Sequence, residues 1–128
     1  MRVSALLLLA VALGCVSPTA PDPLGTWGGR EASLVLTASG GTVSYACGAG
    51  TIDAAWTLSR AGQFVASGQH FLGGGPVPPQ GRQPHPARYS GRVQGDDFPL
   101  TVTVTDLNQT LGPFHLVRGG PPVVELCV

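Results

Sequence analysis

The chain has 128 residues, with seven Lys plus Arg against seven Asp plus Glu and a formal net charge of zero. That balance removes the usual basic footprint of a nucleic-acid binder; the chain contains no lysine at all, and its length fits one small domain. Nineteen glycines and twelve prolines would argue for disorder if they lay among polar residues, but they punctuate short β-branched runs, the pattern of an all-β protein.

The chain opens with Arg2 and an apolar run from Val3 to Leu13. As a helix that run would rise only about 16 Å, too short for a hydrocarbon core of about 30 Å. A basic start, a short apolar core and the small residue Gly14 describe an export signal over residues 1–14. Cys15 follows directly. Residues 15–23 then form a Pro-rich tether, which proline holds extended, and a single domain is expected over 24–128.

Within that domain the apolar residues alternate. Leu34 and Leu36 alternate in "SLVLTA", which turns at Ser39-Gly40-Gly41. Val43, Tyr45 and Cys47 alternate in "TVSYAC", which is read as ending in a turn at Gly48-Ala49-Gly50. A weaker run, "AAWTLS" (54–59), turns at Arg60-Ala61-Gly62 into "QFVASGQHFL" (63–72). A long Gly/Pro-rich loop over 73–87 precedes "RYSGRV" (88–93). Asp96 and Asp97 read as turn residues rather than a catalytic carboxylate pair. After them comes "FPLTVTVT" (98–105), with Phe98, Leu100, Val102 and Val104 facing in. "TLGPFHLVR" (110–118) and "VVELCV" (123–128) complete the series. No stretch keeps a helical period over ten residues. One apolar face per strand predicts an antiparallel up-and-down meander. Closure into a small barrel of about eight strands removes the sheet edges; a two-sheet sandwich is the alternative.

Three cysteines leave one over from any intramolecular pairing. With Cys15, at the end of the export signal, set aside, Cys47 and Cys127 remain, and outside the cytosol a disulfide between them is the default. It would close a loop of about 80 residues, for which the chain-entropy model gives roughly 4.5 kcal/mol.

Ala12-Leu13-Gly14-Cys15 resembles the lipobox of bacterial lipoproteins. The resemblance implies cleavage before Cys15, a diacylglyceryl group on its thiol, and a chain held to a membrane of the cell envelope. An ordinary secretory signal, leaving a soluble secreted or periplasmic protein, is the alternative. Gly25-Thr26-Trp27 resembles the Gly-x-Trp signature of lipocalins and avidin-like barrels. That resemblance implies that Trp27 plugs one barrel end, with Arg118 over its ring. "GTWGG…LTASGG" is similar to small bacterial lipoproteins, a likeness that brings no activity with it.

Little in the sequence points to catalysis. There is no G-x-S-x-G elbow, and Cys47 is better assigned to a disulfide than to a nucleophile. His70, His85 and His115 lack the close spacing of zinc ligands, so no metal, cofactor or catalytic residue is expected. The 73–87 loop is the one stretch that exceeds structural need, and Arg82, Gln83 and His85 are its candidate binding residues. The expectation is a monomeric, non-enzymatic module that binds a small ligand or an envelope partner, with membrane lipid engaged through Cys15. One alternative is an inhibitor, since size and the barrel-plus-disulfide plan resemble small periplasmic inhibitors of secreted metalloproteases. Those insert a free N-terminus, which acylation of Cys15 would hold at a membrane. The other alternative is an envelope-structural protein without ligand.

Overall fold

Phe98, Leu100, Val102 and Val104 are all fully buried, whereas Thr101 and Thr103 between them are partly exposed. This alternation runs through a computed structural model that describes residues 21–45, 47–73 and 77–121. Nine strands follow one another: β1 (Gly25–Gly28), β2 (Ala32–Thr37), β3 (Gly40–Tyr45), β4 (Gly48–Ile52), β5 (Thr57–Leu58), β6 (Gln63–Leu72), β7 (Pro84–Arg92), β8 (Asp97–Val104) and β9 (Gln109–Arg118). Every pairing is antiparallel. β1 joins β2 on one side and β9 on the other, and β4 joins β6. The fold is therefore a closed eight-stranded up-and-down barrel, with β5 as an extra strand, and no helix occurs among the described residues. The sandwich alternative fails because the ladder returns to its own first strand.

β4 and β5 are two halves of one edge along β6. β4 pairs with Gly68 to Leu72, the chain kinks outward at 53–56, and β5 pairs with Phe64 and Val65. The expected strand over 54–59 is thus reduced to two residues. Trp56, in the kink, donates its indole N–H to Thr37 O (3.0 Å) and lies against Phe64.

Two expectations about turns are corrected. Gly48-Ala49-Gly50 is a strand, because its glycines are there to make room: a Cβ at Gly50 would collide with Tyr89 Oη, and one at Gly48 would press on Phe71 O. The 73–87 loop ends earlier than expected, since β7 already begins at Pro84. Pro86 is tolerated near the strand end because its carbonyl still accepts from Thr105 N (3.1 Å).

In β9 the register against β8 shifts between Leu100 and Val102. A bulge adds a residue and reverses the in/out phase. Gly112, at φ 90°, and Pro113 lie opposite this shift. Leu111 and Phe114, three apart in sequence, consequently both pack on the core. The predicted disulfide falls partly outside the described residues. Cys47, in the turn between β3 and β4, is disulfide-bonded. Cys127, Cys15, the signal and the 123–128 run lie outside them.

Candidate functional site: a plugged barrel with an open mouth

The two ends of the barrel differ. At the end where β9 finishes, Trp27 is fully buried and its ring meets Phe98 edge-on at 5.2 Å. Phe98 in turn meets Phe64 at 5.3 Å in the same T-shaped manner, a geometry that aromatic quadrupoles favour. The Arg118 guanidinium stands 4.3 Å from the centre of the Trp27 ring. Its Nη2 donates to Asp22 O (2.6 Å) and its Nη1 to Leu24 O (3.4 Å). Trp27 Nε1 donates to Pro23 O (2.9 Å). The segment Asp22 to Leu24 is therefore strapped across this end, which is closed by aromatic rings.

The opposite end is where β1, β3, β6 and β8 finish and β2, β4, β7 and β9 begin. It contains a cavity of about 420 Å³. Leu72, Leu111 and Phe114 supply an apolar wall, and Tyr45 and His70 a polar one, with Glu31, Gln109 and Cys47 completing the lining. Tyr45 sits between the other two rings, its centroid 5.3 Å from His70 and 5.5 Å from Phe114. The β9 bulge brings Leu111 and Phe114 into this wall together.

His70 is 3% exposed. Among the described residues neither its Nδ1 nor the Tyr45 hydroxyl, both buried, has a hydrogen-bond partner. Leaving a buried polar group unpaired costs about 1–3 kcal/mol, so the wall carries two such penalties side by side. Nearby Tyr89 escapes this, donating to Gln69 O at 2.8 Å. Burial, and then the Tyr89 hydroxyl, which is near enough to act on the Tyr45 hydroxyl although the two do not meet hydrogen-bond geometry, pushes the Tyr45 phenol far above the ordinary tyrosine range. Burial, and then His85, lowers His70 below the ordinary histidine value. At neutral pH the polar wall is therefore uncharged. Among the described residues, Glu31 is the one ionic side chain lining the cavity and no arginine lines it.

The three loop candidates come together beside this mouth. Arg82, Gln83 and His85 line a depression of about 180 Å³ that shares Leu72 with the cavity. Arg82 Nη1 donates to Leu72 O (2.9 Å). His85, expected in the loop, is in β7 opposite His70, and its Nδ1 lies 2.8 Å from Asp106 Oδ2. His115 is outside the barrel, 3.4 Å from Asp97 Oδ1. Among the described residues no three His, Cys, Asp or Glu side chains group as metal ligands. Asp96 reaches Arg118 Nε (3.3 Å), away from the cavity.

No protein-family model, curated protein sequence or solved structure matches the chain. The site therefore rests on its own geometry.

Sequence reasoning did not single out Tyr45 or His70 as site residues. The signal for His70 was its phase, since it shares the inward face of β6 with Phe64 and Ala66. A histidine on an apolar face of a barrel strand must find a partner or line a space. For Tyr45 the alternation with Val43 gave the facing, but only the three-dimensional closure shows that its hydroxyl lacks a partner.

Proposed function

We propose that this chain is an exported, lipid-anchored protein of the bacterial envelope that holds one small ligand in the mouth of its barrel and performs no chemistry on it. One observation carries the reading: the barrel is plugged at one end, and the cavity at the other buries two polar atoms that lack partners. Barrels of eight strands are just wide enough for one small ligand, and small-molecule sites span about 300–1,000 Å³.

The export signal and lipobox resemblance support the location, and the strap at the plugged end supports an orientation. An acylated Cys15 precedes Pro21 by six residues, at most about 20 Å of extended chain. Because Asp22 to Leu24 dock on the plugged end through Arg118, an anchor before them holds that end beside the membrane. The mouth then faces the aqueous side. Pairing of Cys47 with Cys127 belongs to the same reading.

Filling the cavity tests it. Protein purified from its own membrane and extracted with organic solvent is expected to release one small molecule per chain. A Leu111→Trp variant of equal thermal stability is expected to release none. Equal release from both proteins, or none from either, would refute the reading.

A further inference from the structure

We infer that the ligand is an amphiphile without a negative charge, whose hydrogen-bonding group (an alcohol or amide) docks at the edge of the Tyr45–His70 pair, where a small side-chain rotation exposes their buried polar atoms, while its apolar body lies along Leu72, Leu111 and Phe114. This rests on the ligand-binding reading above and names the chemistry of the same site.

The argument begins with the two unpartnered groups. A phenol both donates and accepts, and an imidazole offers one N–H and one bare nitrogen, whichever tautomer it adopts. Tyr45 and His70 stand with ring centroids 5.3 Å apart, and both line the cavity. A single ligand group that both donates and accepts can serve the pair in either tautomer, and an alcohol or an amide is such a group. A purely apolar ligand would leave both atoms as they are.

Charge narrows the class. A carboxylate drawn to this wall would leave water for a site with no arginine among the described residues of its lining, and an unpaired buried charge is far costlier than a neutral polar group. The Glu31 carboxylate in the lining repels it further. Arg82 is in the neighbouring depression, not in this lining, and its Nη1 donates to Leu72 O. The aromatic and aliphatic faces of Phe114, Leu111 and Leu72 suit an apolar tail.

Binding of 1-octanol and octanoate to the intact, disulfide-bonded protein at pH 7.5, read by calorimetry, separates the possibilities without any variant. Octanol is expected to bind at least about ten-fold more tightly than octanoate. Equal affinities, or a preference for octanoate, would overturn the inference and leave the ligand-binding reading standing. Failure of both, together with no molecule released from membrane-purified protein, would remove the reading itself. Failure of both while such a molecule is released overturns the inference alone if that molecule is an anion. If it is not, its own affinity for Tyr45→Phe protein decides. Tyr45→Phe keeps the ring and removes only the hydroxyl, and it is expected to weaken alcohol binding about ten-fold. Unchanged affinity in that variant would show that the polar group does not sit where we place it.

Discussion

Replacing Gly50 by alanine puts one methyl group where the Tyr89 hydroxyl now lies. The added Cβ would overlap Oη, approach Cζ to 3.2 Å and lie 3.0 Å from Gln69 O. Tyr89 is fully buried and cannot swing away into solvent. Overpacking a core in this way costs about 1–3 kcal/mol. Displacing the hydroxyl also breaks its bond to Gln69 O, worth about 1 kcal/mol. Removing a strand glycine returns roughly 0.5–1 kcal/mol. The expected loss is therefore about 2–3 kcal/mol, a urea midpoint lower by about 1–2 M for an ordinary small-domain slope. Tyr89→Phe alone is expected to cost about 1 kcal/mol. The double variant should be more stable than Gly50→Ala alone, because the colliding oxygen is gone and only the 3.2 Å approach remains. Additive losses, or a Gly50→Ala variant as stable as the parent, would refute the reasoning that β4 carries glycine to accommodate Tyr89.

Other outcomes follow from the same geometry. Trp27→Ala removes the ring against which Phe98 and Arg118 pack and is expected to destabilise by about 3–5 kcal/mol in denaturant titration; a loss under 1 kcal/mol would mean that this end is not closed by packing. Arg118→Gln removes a cation–π contact of about 0.5–1 kcal/mol at a partly exposed site and should speed amide exchange in the 22–24 segment, with exchange in β8 unchanged. His70 titrates below its unfolded value, so between that ordinary value near 6.5 and its lower folded value the unfolded chain binds the extra proton. Stability should accordingly fall as pH drops through this window, and His70→Gln should flatten the slope. An unchanged slope in urea titrations across the window would count against a buried neutral imidazole.

The strands that declared themselves were those with most inward positions filled by side chains. β8 alternates without interruption and β6 with one glycine, Gly68, in its inward series, and their observed bounds lie on or within one residue of the expected ones. β4 was hidden because, of its two buried inward positions, Gly50 precedes Ile52, and closeness to Tyr89 forbids a side chain at Gly50 and leaves Gly48-Ala49-Gly50 reading as a turn. The start of β7 was hidden by Pro84 and Pro86, residues that signal loops although a strand end at a barrel rim tolerates them. The plugged end was partly legible, since Trp27 and Arg118 were singled out on a resemblance and do meet in the structure. The cavity was not legible. Its wall depends on the β9 bulge, which reverses the phase between Leu111 and Phe114, and on closure of β4 onto β6, which sets Tyr45 beside His70.

The central claim is that the mouth of this barrel holds a small molecule, and native mass spectrometry of protein gently extracted from its own membrane tests it most directly. The account predicts the mass of Cys15–Val128 plus a diacylglyceryl unit, less two hydrogens for the disulfide, accompanied by one further bound mass per chain that collisional heating releases as a neutral species. A chain that carries no additional mass under conditions gentle enough to keep the fold would contradict it.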